Sequence, residues 1–157
     1  MNKLSVSSSA AVLTDVLLLI ARVSVGFMFA SGAVRKVQEP EWFASTFVSA
    51  GIPFPELLSV VTAWTELILG VTLILGVLTR VSAVVLAAVM VGAAVTEIVP
   101  ALLAQYPQPV TFFSNFFYSA EWLLILLLLF VALLGAGRIA GDRLIFRKQR
   151  SGSAHRR

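Results

Sequence analysis

The sequence predicts an all-α protein, an integral membrane bundle of four transmembrane helices with a short interfacial helix between helices 1 and 2. Three observations predict it. Of the 157 residues, 59% are hydrophobic and 13% charged, about half the charged share of a soluble domain. Four apolar segments each approach the ~20 residues that cross a bilayer as a helix. Basic residues gather outside those segments, and seven of the twelve follow Gly137.

The first segment runs from about Val12 to Val34. Lys3 ahead of it and the small residues Ala30 to Ala33 near its end resemble a cleavable signal peptide. Asp15 and Arg22 interrupt the run, however, whereas the apolar region of a signal is uncharged, so a retained span is expected. Glu39-Pro40-Glu41 then opens a helix: proline suits the first helical position and acids suit the positive end of the dipole. Trp42, Phe43, Phe47 and Val48 give it an apolar side, and Gly51 and Pro53 stop it, which fits a helix lying at the membrane surface.

The second span runs from about Glu56 to Leu78 and the third from about Val81 to Leu103, with Arg80 between them. Gln105 to Asn115 contains two prolines and reads as a loop. The rings of Phe112, Phe113, Phe116, Phe117 and Tyr118 that follow read as an aromatic belt rather than a ligand cage. The fourth span, about Phe116 to Leu134, is nearly all Leu, Ile, Phe and Val from Leu123 onward, so most of its girth is expected to face lipid. No internal repeat or domain boundary interrupts residues 1–146, which read as one transmembrane domain. Residues 147–157 read as a basic, disordered tail.

Orientation follows from the lysines and arginines. Lys3, Arg80 and the tail would share one side, while Arg35 and Lys36 on the other are partly balanced by Glu39, Glu41 and Glu56. Both termini are therefore expected in the cytoplasm. The basic tail directly follows an apolar helix, so its expected partner is anionic lipid and not nucleic acid. There is no cysteine, and the one histidine, His155, stands in the tail. Thiol relays, cysteine-held metal clusters and bis-histidine haem are thus excluded for this chain alone, and no cofactor is expected to be bound covalently.

Ionisable residues inside the spans are the informative ones, because each costs at least about 2.5–3.5 kcal/mol at mid-membrane on insertion scales. There are five: Asp15, Arg22, Glu66, Glu97 and Glu121. One base cannot neutralise four acids. Counting ~1.5 Å per residue from the span ends puts Arg22 and Glu66 at matching depth on adjacent antiparallel helices, so they are expected to pair. Ser59, Thr62, Glu66, Gly70 and Leu73 form one small and polar stripe, matched by Arg22 and Gly26 on the first helix. Ala83, Ala87, Ala88, Gly92, Ala93 and Ala94 make the third helix slim enough for close packing. Glu97 and Glu121 fall toward the outer surface, completing a polar track to the midplane. A buried pair can also serve only to fix helix register, and the outer acids and Asp15 each fit hydrated positions. The five together read as candidates for ligand binding or a proton relay.

Ala21-Arg22-Val23-Ser24-Val25-Gly26-Phe27-Met28-Phe29, followed by Gly32 and Lys36, is the first of several runs that carry a resemblance. The others are Gly51-Ile52-Pro53-Phe54-Pro55, Glu66 to Gly76 with Leu78-Thr79-Arg80, and Glu121 with Leu134-Gly135-Ala136-Gly137-Arg138 and Asp142. In order and spacing, over residues 13–142, the chain resembles the DoxX family of four-helix membrane proteins. The family takes its name from a subunit of a thiosulfate:quinone oxidoreductase. A mycobacterial relative is linked to a membrane oxidoreductase complex with a superoxide dismutase and a thiosulfate sulfurtransferase. The resemblance implies a non-catalytic subunit of a redox assembly in a bacterial cytoplasmic membrane, organising other membrane or redox proteins around a quinone. Arg22, Glu66 and Glu121 match polar positions of the family; Glu97 departs, standing where many members have histidine. Two alternatives stay open: a small proton-coupled carrier, which four helices would build best as a homo-oligomer, and a scaffold without chemistry. Without a nucleophile–base pair or phosphate loop, a stand-alone enzyme is not expected.

Overall fold

A computed structural model describes residues 3–135; the basic segment 147–157 lies outside the described residues. The helices are α1 (Lys3–Gln38), α2 (Pro40–Ser49), α3 (Pro55–Leu75), α4 (Thr79–Ala93), α5 (Val99–Gln105), α6 (Pro109–Tyr118) and α7 (Ala120–Leu134), with a π-helical turn, Ala94–Ile98, joining α4 to α5. No strand occurs among the described residues. Three stretches, Ala11–Gln38, Pro55–Leu75 and Thr79–Gln105, are each long and apolar enough to cross a membrane. α6 and α7, bent by 56° about Ser119, are long and apolar enough to cross only when taken together as one broken span.

That bend differs from the straight fourth span expected from composition, and its cause is local. Ser119 has an extended backbone (ψ 144°) and its hydroxyl accepts the Trp122 N–H, capping α7. Trp122 then folds back on Phe116 and Phe117, with ring centroids 5.3 and 5.5 Å apart. The predicted loop over Gln105 to Asn115 is correspondingly half helix, because Pro109 occupies the first turn of α6, where its missing N–H leaves no gap.

α1 packs along α3, and α4 packs along α7. The first pairing is governed by two glycines. A Cβ built on Gly70 would stand 2.8 Å from both the Ala30 nitrogen and the Gly26 carbonyl oxygen, and one on Gly26 would stand 2.7 Å from the Gly70 oxygen. The two backbones touch, as small residues allow where membrane helices cross closely. This contact fixes the antiparallel register. Val25, Phe29, Leu73, Ala83, Leu86, Ala87, Leu128 and Val131 close around it as the apolar core. Of the small residues expected to slim the third helix, Ala83, Ala87 and Ala94 are buried, whereas Ala88 and Gly92 are exposed.

α3 ends in a left-handed turn at Gly76 (φ +72°), whose N–H bonds to the Leu73 carbonyl while that of Val77 bonds to Thr72; this is a Schellman cap. Thr72 and Ser82 hydroxyls meet at 2.9 Å and tie α3 to α4 beyond the turn. Large apolar side chains are exposed along every span. α7 buries only Ile125, Leu128 and Val131, leaving Leu123, Leu126, Leu129, Phe130, Leu133 and Leu134 exposed for lipid.

Candidate functional site

The expected Arg22–Glu66 pair does not form. With Gly26 set against Gly70, Arg22 lies one turn beyond the crossing in one direction and Glu66 one turn beyond it in the other, about 12 Å apart along the bundle axis. The guanidinium of Arg22, almost fully buried, lies instead against Gly76, whose added Cβ would stand 2.7 Å from one of its terminal nitrogens. There it faces the C-terminal end of α3, where the helix dipole favours a cation. Arg80 repeats the arrangement at the C-terminus of α7, reaching toward the Leu133 carbonyl at 3.4 Å.

Glu66 is paired with Lys36. The ammonium stands 2.6 Å from the Glu66 carboxylate oxygen, with the side chains 23% and 4% exposed. Lys36 reaches inward because α1 continues as helix to Gln38, a full turn past the expected end at Val34. Its buried stripe of Arg22, Val25, Phe29 and Ala33 therefore carries on to Lys36 at helical spacing. The ring of Phe43 lies 4.6 Å from the same ammonium, adding a cation–π contact. Phe43 is also the residue by which α2 is buried against the bundle. Arg35, one residue earlier, covers Trp42 at 4.3 Å and meets Glu39 at 3.4 Å in an exposed pair, which contributes little.

Around this ion pair is a cavity of about 410 Å³. It draws on all four spans and on α2. Lys36 and Glu66 form its buried end with Thr62; Trp42, Phe43, Thr46 and Phe47 of α2 form one wall; Val89, Met90 and Ala93 of α4 form another. Thr96 and Glu97 come from the π turn and Glu121 from the start of α7. Glu97 is exposed and Glu121 half-buried. The π turn has an evident chemical cause. Pro100 has no N–H to return to the Thr96 carbonyl, and the Val99 N–H reaches back five residues to Ala94. Such an insertion rotates the residues within it, which is one reason π turns recur at functional sites.

Thr96, Glu97 and Thr46 also border a second, more open cavity of about 330 Å³ with Ser45 and Ser49. Glu97 thus stands between an outer space lined by hydroxyls and the inner space that holds the ion pair. Glu66, Glu97 and Glu121, expected from sequence to mark a polar track, do line one cavity; Arg22 and Asp15 do not. Asp15 is half-buried on α1, two turns from Arg22 on the side away from the cavity. Sequence reasoning missed Lys36 and the aromatic wall of α2. The signal was the α1 stripe, which continues to Lys36 when the helix is not ended at Val34. None of Phe112, Phe113, Phe116 and Phe117 lines the cavity. Among the described residues no group of three or more acidic or histidine side chains is placed to hold a metal ion.

No curated protein and no solved structure matches the chain. The DoxX family model matches residues 17–99, just over half of the 157 residues and the stretch that carries Arg22, Lys36, Glu66 and Glu97. The chain belongs to the DoxX family.

Proposed function

We propose that this protein is a non-catalytic membrane subunit of a redox assembly, which holds a quinone headgroup in the cavity beside Lys36 and organises partner enzymes around it. The observation that carries the reading is the cavity itself, assembled from every span around one buried ion pair. Its residues fit such a group. Lys36 uses one of its three N–H donors on Glu66, leaving others for a carbonyl oxygen. Thr62 and Thr96 add hydroxyls, and the Phe43 and Phe47 rings offer faces against which a flat ring packs. A bound quinone would supply two-electron, two-proton redox chemistry; this chain would orient it and keep water from it. By the charge rule for membrane loops, Arg80 and the termini are cytoplasmic and the cavity lies in the outer half of the bilayer.

The test is native extraction from the source membranes in mild detergent, followed by mass spectrometry of co-purifying proteins and lipids. A stoichiometric redox enzyme together with a quinone is the expected result. A homo-oligomer carrying neither would overturn the proposal.

A second reading, a proton-coupled carrier, is favoured by one observation: three carboxylates line the same cavity, as proton relays require. Glu66 would then be the central site, with Glu97 and Glu121 at the entry. Unchanged flux of protons in liposomes carrying Glu66→Gln would remove it.

A further inference from the structure

The turn between α3 and α4 gathers positive charge in a buried place. Arg22, 3% exposed, lays its guanidinium against Gly76, with a terminal nitrogen 2.7 Å from where a Cβ would stand. α4 begins three residues later at Thr79, and its N-cap is Leu78, whose side chain has no acceptor to offer. A helix start leaves its first N–H groups without acceptors inside the helix and carries about half a positive charge. Thr79 is itself 1% exposed, and its hydroxyl has no hydrogen-bond partner. Among the described residues, the acids on the adjoining helices stand well away. Asp15 lies about 10 Å from Arg22 along α1, and Glu66 about 15 Å from Gly76 along α3.

From this geometry we infer that the start of α4 and the Arg22 guanidinium form a docking site for the carboxylate of Asp142, in the segment of this chain that follows α7. Residues 136–157 lie outside the described residues, and two facts select Asp142 among them. It is the only acid after Glu121, so charge complementarity leaves one candidate in a segment otherwise basic. The chain also leaves α7 beside the site: a Cβ on Gly135 would stand 3.1 Å from the Nε of Arg80, the residue after Thr79. Seven residues reach up to about 23 Å, ample for Asp142 to return to the turn. An aspartate at a helix start accepts first-turn N–H groups, and a guanidinium on the same carboxylate makes charge-assisted bonds. Docking would fix where the basic segment from Arg143 onward leaves the bundle. The site stands about 15 Å along α3 from the Lys36–Glu66 pair, so it does not depend on the quinone reading.

Thermal unfolding of the full chain in detergent, followed by circular dichroism, tests it. Asp142→Ala should lower the transition by roughly 5–15 °C, as loss of one member of a buried charge pair does. Combined with Arg22→Gln it should add little to the loss from Arg22→Gln alone, because the two residues share one interaction. Asp15→Asn combined with Asp142→Ala should instead show additive losses. Sodium formate, a free carboxylate, should raise the transition of Asp142→Ala more than sodium chloride does at equal ionic strength, and leave wild type unmoved. This rescue decides the matter even where Arg22→Gln does not fold. An unchanged transition in Asp142→Ala, or additive losses with Arg22→Gln, would overturn the inference. So would formate stabilising wild type as much as the variant, which would mean that the site is open to a free anion or a lipid headgroup and not filled by Asp142.

Discussion

Lys36→Met is expected to destabilise the bundle by about 3–5 kcal/mol, the penalty for stranding one member of a buried ion pair. Methionine nearly matches the apolar stem in volume, so lost packing accounts for little of the effect. What remains is the Glu66 carboxylate, 4% exposed in a protein interior at membrane depth, with the cation that stood 2.6 Å away removed. The double variant Lys36→Met/Glu66→Leu should recover most of the stability, because replacing both partners by apolar groups removes the desolvation penalty together with the attraction. Reversible unfolding in mixed detergent micelles, followed by circular dichroism, measures both. A single variant as stable as wild type would mean that the pair contributes nothing. A double variant no better than the single one would place the loss in packing.

Gly70→Leu is expected to separate α1 from α3. Its Cβ alone would stand 2.8 Å from two backbone atoms of α1 and 3.2 Å from a third. Backbone cannot rotate aside as a side chain can, so the helices themselves must move. Overpacking of this kind costs about 1–3 kcal/mol even for a few added methylenes, and Gly70→Ala already belongs in that range. The leucine variant should exceed it and lose the cavity, since Glu66 and Lys36 are held opposite each other by the same crossing. Gly32→Ala is the control: nothing lies within 4 Å of the added methyl, and its stability should stay near wild type. Thermal aggregation of the three purified variants in detergent ranks them. Equal stability for Gly70→Ala and Gly32→Ala would show that the crossing yields more easily than its distances imply.

The three unbroken spans and their approximate bounds could be read from apolar run length, because the bilayer imposes it on any chain. The short helix α2 was equally legible, since Pro40, Glu41 and Gly51 act locally at its ends. The partner of Glu66 was not. Depth counted from span ends assumes that apolar runs and helices end together, and α1 continues a turn beyond its apolar run to bring Lys36 inward. Register was decided by the Gly26–Gly70 backbone contact, a tertiary event that leaves only two glycines in the sequence as its trace. The bend at Ser119 and the π turn before Pro100 escaped for a related reason. Both are breaks in backbone hydrogen bonding inside stretches long enough to read as continuous spans. Pro100 did mark the second, and the residue it repositions, Glu97, had been singled out on charge alone.

Photoaffinity labelling tests the central claim, that the cavity around Lys36 and Glu66 holds the ligand of this protein. An azido-quinone would be irradiated with the native protein in its membrane, with and without excess unlabelled quinone, and the modified peptides mapped by mass spectrometry. Label on the segments that carry Trp42 to Phe47 and Val89 to Glu97, displaced by the unlabelled quinone, is the expected result. Label spread along the lipid-facing leucines of α7, or undiminished by competition, would contradict it.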